Sequence, residues 1–476
     1  ESARAFAQAP ADVRWAEFRL ADTQWRALAA TGSDDSSGID AARTALHVLV
    51  RDIVREDERD RVFLEVHESL GDLAWRENSQ DWGTAWASYQ LALDGWGASA
   101  ELELARRRYL DIVWKTVTPR GIGGWERGRW VPTPDEVIEN AIRIAEASDD
   151  RARAHVLRAS TLQNRGGDWR SLARIPREFA AALEGGKQQA WYDDALFSYA
   201  QWMEGGGRVV RGEDGAFRQE PDFVEALKLY RRIAEEFRAG ESRWRDDAVE
   251  AAQRIVREEL SLSAGRIFLP GSKLAVDAAW RNVRAIEFAL YPFDPLRDVQ
   301  PKGDNGSSSW IDFVDSGARS ALARWTRETG DDGTHRYGAE QVKIERELAP
   351  GAYLLEATAG AVHARELVLV SETSAVLTAV GTKALAWITS ADLGTPLAEA
   401  QVVMWEHRHD GRRWLWRKFE ATSGVDGVAQ FDLPKATSGR DLLVFARSAE
   451  RVAFARIDSN SAFAPRDEWR IQASTD

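Results

Sequence analysis

From about Asp40 to Leu260 the apolar positions recur three and four residues apart, within stretches dominated by alanine, leucine, arginine and glutamate. That spacing predicts amphipathic helices. PDFVEALKLYRRIAEEF is a clear sample: Pro221 and Asp222 suit a helix start, and Phe223, Ala226, Leu227, Tyr230, Ile233, Ala234 and Phe237 fall on one face. After Arg266 the period shortens in runs such as ARELVLVS, KALAWITS, AQVVMWEH and DLLVFARS, where alternation predicts strands separated by Pro- and Gly-containing segments. Helical periodicity persists beyond that point only in a short piece around Ser316 to Thr329. The stretch LRDVQPKGDNGSSS, from Leu296 to Ser309, reads as a polar, mobile loop or exposed insertion.

The helical half carries an internal echo. Of its five tyrosines, four follow an alanine by four residues, in the pairs Ala85 and Tyr89, Ala105 and Tyr109, Ala195 and Tyr199, and Ala226 and Tyr230. A small residue one turn before a large one lets a neighbouring helix approach closely, as in degenerate tetratricopeptide-like hairpins, here without a clean period. Breaks at TGSDDSSG (Thr31 to Gly38), TPRGIGGWERGRWVPTP (Thr118 to Pro134) and EGGGRVVRGEDG (Glu204 to Gly215) divide the helices into groups. The expected organisation is multidomain, α then β. It has an N-terminal helical segment and linker over 1–39, an α-helical repeat-like domain over 40–262, antiparallel β-sandwiches over 263–372 and 373–460, and a linker over 461–476.

Composition narrows the function. The length of 476 residues suits several cores, and 44% hydrophobic with 29% charged residues describes a folded, water-facing chain. A net charge of −13 argues against a nucleic-acid partner, and with nine lysines among 63 basic residues the arginine excess reads as compositional bias. There is no cysteine, which removes disulfides, thiolate metal sites and cysteine nucleophiles. No apolar run approaches a membrane span, so membrane association is expected only through parts outside this chain. The start, ESARAFAQAP, lacks signal-peptide architecture. The 13 tryptophans before residue 260 read as knobs filling gaps beside alanines.

Catalytic patterns are missing. There is no Gly-x-Ser-x-Gly elbow and no Ser-x-x-Lys, and His67 with Glu68 lacks the second histidine of a zinc-protease helix. GIGGWERG, from Gly121 to Gly128, has Glu126 where a dinucleotide fingerprint needs its third glycine, and reads as a plain loop with no strand before it. EGGKQQ at Glu184 lacks the other residues of a phosphate-binding loop. In EHRHDG, His407 and His409 point to the same face of a strand and Glu406 or Asp410 would be the third metal ligand, but strand-end histidines beside a turn are the commoner case. Glu235 and Glu236 are adjacent, so a helix points them apart and they do not form a glycosidase pair. The expectation is a chain that is not an enzyme, with no catalytic, cofactor-binding or metal residue.

ATSGVDGVAQFDLP, from Ala421 to Pro434, offers Asp426 and little else to a calcium ion. Asp426 and Gly427 instead suit a turn joining two strands as a hairpin or strand connection, with Val428, Gln430 and Asp432 alternating against Ala429, Phe431 and Leu433. With the preceding AWITSADLGTPLAEAQVVMWE and the following RDLLVFARSAERVAFARID, this succession resembles a macroglobulin-like domain of the bacterial alpha-2-macroglobulin family. The matching positions are Trp387, Thr389, Gly394, Pro396, Leu397, Ala400, Val402, Thr422, Asp426, Gly427, Val428, Ala429 and Phe431. Arg281, Asn282 and Val283, and Pro350, Gly351 and Tyr353, are similar to an early strand and a turn of the domain before it. The likeness is good over about 265–460 and weak before that.

The resemblance implies Ig/fibronectin-like macroglobulin sandwiches behind a helical repeat region. It also implies an exported bacterial protein of the periplasm, cell envelope or cell exterior, whose full-length form inhibits or traps proteases; its partners would be proteases or envelope proteins. The family's thioester motif needs a cysteine, and this chain has none. RIQASTD looks like the lead into a further domain, which suggests an amino-terminal fragment. The expected role is a non-catalytic N-terminal scaffold; the alternative is an envelope or surface protein-interaction scaffold unrelated to protease control.

Overall fold

The structure, a computed structural model, describes residues 10–31, 36–118, 121–165, 168–265, 267–303, 306–317, 319–409, 412–434 and 440–457. The linker expected over 461–476 lies outside the described residues. The chain forms two compact units, Glu1–Arg254 and Ile255–Asp476, and is helical in the first and antiparallel β in the second.

In the first unit, α1 (Pro10–Ala30) packs on α2 (Ser36–Val50) and α3 (Arg61–Glu77) on α4 (Trp82–Ala98). The next pairs are α5 (Glu103–Lys115) with α6 (Asp135–Ile144), α7 (Ser148–Arg165) with α8 (Trp169–Ala182), and α9 (Tyr192–Gly205) with α10 (Phe223–Glu236). A further helix, α11 (Arg245–Val256), ends the series. Acidic caps start several of them: Asp60, Asp168 and Asp222 accept from the Phe63, Arg170 and Glu225 amides at 3.0, 2.7 and 3.0 Å. Three of the four alanine–tyrosine pairs are buried as close packing requires, and Tyr199 of the fourth is half-buried. The three are Ala85 with Tyr89, Ala105 with Tyr109 and Ala226 with Tyr230; Trp25, Trp82, Trp96 and Trp202 are buried as well.

Two of the expected breaks are built as sheet. GIGGWERG is not a plain loop: β1 (Val117–Thr118), β2 (Gly121–Glu126) and β3 (Arg129–Pro132) form a small antiparallel sheet. Its glycines allow β2 to lie directly on a helix, since a Cβ on Gly124 would stand 2.5 Å from the Trp82 ring. The stretch from Glu204 to Gly215 leads into a hairpin of β4 (Arg208–Arg211) and β5 (Phe217–Glu220).

In the second unit, β6 (Glu259–Ser263) starts within the range expected to be helical, so the helical boundary at 262 lies too late. It joins β7 (Leu274–Arg281) and, further along, β10 (Gly338–Ile344) in the order β10-β7-β6. Facing it is a four-stranded sheet, β12-β11-β8-β9, made of β8 (Ala285–Phe293), β9 (Ala323–Glu328), β11 (Gly351–Ala359) and β12 (Val362–Val370). The core between them contains Val276, Trp280, Ile286, Phe288, Leu355 and Val368. Edge strands β9 and β10 are clasped by Arg327, which donates to both carboxylate oxygens of Glu340 at 2.7 and 3.0 Å.

The second sandwich repeats the scheme. β13 (Thr373–Val380) and β14 (Lys383–Ser390) join β17 (Val428–Asp432), facing β15 (Gln401–His409), β16 (Trp414–Thr422), β18 (Arg440–Ser448) and β19 (Arg451–Ile457) in the order β16-β15-β18-β19. Its core includes Ile388, Met404, Phe431, Leu442 and Val444. The two four-stranded sheets then share a third core. Tyr291, Phe293 and Leu354 from the first meet Val403, Leu443 and Phe445 from the second, so these strands are apolar on both faces.

Two further expectations are corrected. The segment around Ser316 to Thr329 contains the edge strand β9, not a helix, because Trp325 stacks on Phe288 of β8 with ring centroids 5.2 Å apart. The supposed polar loop from Leu296 to Ser309 contributes Leu296 and Val299, with the following Trp310, to the shared core; Asp304 and Asn305 lie outside the described residues. Leu354→Ala, which empties a fully buried position of that core, is expected to lower stability by about 3 kcal/mol in chemical denaturation. Full stability in the variant would contradict the shared core.

Candidate functional site

The Asp426–Gly427 turn is structural. The Gly427 amide donates to the Gly424 carbonyl at 2.9 Å, and the Asp426 carboxylate accepts from the Val428 amide at 3.1 Å. It connects β16 and β17, which belong to facing sheets, so it is a strand connection across the sandwich and not a hairpin. Gly427 has φ +75°, and a Cβ there would stand 2.5 Å from the Ile388 carbonyl oxygen and 3.1 Å from Pro396. The Gly427 carbonyl accepts from the Ile388 amide at 2.8 Å, and Thr389 bridges Pro396. The Gly-x-Pro turn and the Asp-Gly turn are thereby locked together. In the first sandwich, the Tyr353 hydroxyl donates to the Ala349 carbonyl at 2.7 Å, and the Asn282 amide donates to the Ile255 and Arg257 carbonyls at 2.8 and 2.7 Å.

The histidine pair does share a strand face. His407 is 2% exposed, its ring lying between Trp414 and Trp416 at centroid distances of 4.7 and 4.5 Å, and His409 meets the edge of Trp414 at 5.5 Å. Glu406 points into the sandwich core, where it faces Arg440 at 3.1 Å, both fully buried. Burial pushes the Glu406 carboxyl up while Arg440, Arg408 and Arg417 pull it down, and the net direction is upward. Asp410 lies outside the described residues. Among the described residues no group of three or more His, Asp or Glu suits a metal ion.

The remaining candidates are dispersed. His67 packs on the Phe63 ring at 4.4 Å, and burial, with His47 and Arg59 nearby, pushes it down to about 4. Glu235 is exposed while Glu236 accepts from the Tyr192 hydroxyl at 2.8 Å and from Arg232 at 2.7 Å, so the two diverge. In EGGKQQ, Gly186–Gln188 make a single helical turn, and Lys187 pairs with Glu241 at 3.1 Å.

Sequence reading missed a charged cleft. The first helices of three successive hairpins, α1, α3 and α5, enclose a cavity of about 320 Å³. The central helix α3 lines it with Glu65, Glu68 and Asp72, one above another at helical spacing. The flanking helices supply the cations Arg19, Arg26, Arg108 and Lys115, and also Asp22 and Asp111. Lys115 bridges Glu68 and Asp72 at 2.9 and 2.8 Å, Arg26 bridges Asp22 and Asp72 at 2.8 and 2.9 Å, and Arg108 reaches Glu65 at 3.1 Å. Below them the Trp25 indole donates to Ser69, and Ser69 to Asp22, each at 2.8 Å. Burial pushes the Asp72 carboxyl up, but Lys115, Arg26 and the Tyr89 hydroxyl outweigh it and hold it below the ordinary carboxylate range. The one sequence signal was the triad of acids at helical spacing on a helix that also carries Ser69.

No family model and no curated protein matches the sequence. Among solved structures, the chain is similar over 43% of its length to native alpha-2-macroglobulin from Escherichia coli spanning domains NIE-MG1, at 13% identity, 98% coverage of that chain and a TM-score of 0.28. A longer piece of the same protein, spanning MG0-NIE-MG1, is matched at 14% identity, 64% coverage of that chain and a TM-score of 0.28. Salmonella alpha-2-macroglobulin reacted with methylamine is matched at 13% identity and a TM-score of 0.18, over 17% of its chain. At these scores the likeness carries no functional argument.

Gly427→Val forces a branched side chain into a left-handed, crowded position and is expected to destabilise the second sandwich by at least about 2 kcal/mol. An unchanged melting temperature would refute the turn's role. Asp72→Asn removes a carboxylate whose ionised form the fold favours, a contribution fully present above the ordinary aspartate value of about 3.9 and lost as pH falls through the lower folded value. The variant is expected to be about 2 kcal/mol less stable at neutral pH. In denaturation at a series of pH values the gap to wild type should close in acid, and a gap independent of pH would refute the assignment.

Proposed function

We propose that the chain is a non-catalytic scaffold region of an exported alpha-2-macroglobulin-like protein, acting through protein partners, whose full-length form restrains proteases. The observation that carries this reading is the locked pair of turns in the second sandwich. Thr389, Pro396 and Gly427 are among the positions that carry the resemblance, and Gly427, some thirty residues further along the chain, meets the other two at one point. Polar groups of the sandwiches support a structural role: Asn282, Tyr353 and Asp426 hold backbone, and the buried Glu406 faces Arg440. No helix among the described residues is long and apolar enough to cross a membrane.

A protease held by such a protein is shielded from large substrates while small ones still diffuse to its active site. The full-length protein, mixed in excess with trypsin, should suppress casein cleavage and leave hydrolysis of a small chromogenic peptide intact. Undiminished cleavage of both substrates would overturn the protease part of the proposal.

A further inference from the structure

We propose that the cleft between α1, α3 and α5 binds the guanidinium of an arginine side chain presented by a partner polypeptide, with Glu68 as its main acceptor. The inference rests on reading the chain as a protein-binding scaffold and gives that scaffold a specific docking point. Stacked helical repeats offer such surfaces where the equivalent helices of successive hairpins lie side by side.

Glu68 is 6% exposed and lines the cavity, yet its Oε2 has no hydrogen-bond partner among the described residues. A buried carboxylate oxygen without a donor is costly, and it marks the place where a donor is wanted. Its neighbours cannot supply one. Lys115 is a point charge that reaches only Oε1 and is shared with Asp72, while Arg108 stands 3.7 Å from Oε1 and is committed to Glu65. A guanidinium presents two parallel N–H donors in a fixed fork that matches both oxygens of one carboxylate, a geometry a single ammonium nitrogen does not offer. The Lys115 and Arg108 side chains that cover Glu68 are long and reached by solvent. They give way to an incoming cation without opening the fold, and Lys115 retains Asp72. The ten cavity-lining residues include five acids and four bases, so the lining carries one negative charge in excess, and Asp111 stands exposed at the rim.

The test is a titration of the full chain with a blocked glycyl-arginyl-glycine tripeptide, followed by the indole N–H resonance of Trp25, two hydrogen bonds from the cleft carboxylate Asp22. A saturable shift is expected, with binding about tenfold weaker for the lysine tripeptide and absent for the uncharged citrulline tripeptide. Glu68→Gln should abolish it. Asp111→Asn, at an exposed position, should weaken it with an unchanged melting temperature. Equal shifts from the arginine and citrulline peptides, or wild-type binding by both variants, would overturn the proposal, and agmatine binding as tightly as the peptide would overturn the polypeptide source. A protein that fails this titration but still shields casein in the protease assay loses the docking point and keeps the scaffold function.

Discussion

The shared core between the two four-stranded sheets constrains the second unit more than any single site. A β-strand places successive side chains on opposite faces, so a strand apolar on both faces has no solvent side and must be covered twice. β11 meets this demand with Leu355 and Ala357 in the core of the first sandwich and Ala352 and Leu354 in the shared core. β18 does the same, with Leu442 and Val444 inward and Leu443 and Phe445 toward the neighbouring sandwich. The sandwiches therefore form a stack of packed sheets and are not beads on a string. The connection from Leu296 to Trp310 closes one margin of the stack, and an ion pair between Arg447 and Asp294 links the two sandwiches there.

This arrangement explains what the sequence showed and what it hid. Strand positions were legible because alternation and turn residues are local: VAQFDL alternates as expected, with Ala429, Phe431 and Leu433 buried. Double burial was missed: DLLVFARS reads as an alternating strand, although DLLVFA is an unbroken apolar run, and a single strand cannot reveal what covers its second face. The segment before Thr329 looked helical because Ala318, Ala321 and Leu322 have helical spacing, while the pairing that makes β9 a strand depends on Phe288, distant in sequence. GIGGWERG misled for the opposite reason. Its glycines read as loop, but they serve a strand pressed against the Trp82 ring.

The charged cleft escaped sequence reading on similar grounds. Glu65, Glu68 and Asp72 taken alone are an ordinary polar stripe on a helix. Only the hairpin packing brings Arg26 and Lys115, separated from them by some forty residues on either side, against the same carboxylates. What reads as three solvated acids then becomes a network in which Arg26 and Lys115 each serve two partners. Such a network fixes the relative position of three helices, since moving any one of them strands a charge on another.

Two of the buried ionic systems among the described residues answer the same physical problem in different ways. Glu406 and Arg440 are sealed at one end of an apolar core, where neither is exposed and the pair is held from outside by the Arg440 bond to the Pro434 carbonyl at 2.7 Å. A pair of that kind contributes little net stability, because desolvation offsets the attraction, but removing one partner leaves the other uncompensated. The cleft network keeps the Arg108 and Lys115 cations partly in water on long side chains. The first arrangement suits a strut and the second a place where another molecule's charge can enter, which is why the docking point lies among the helices and the sandwiches read as framework.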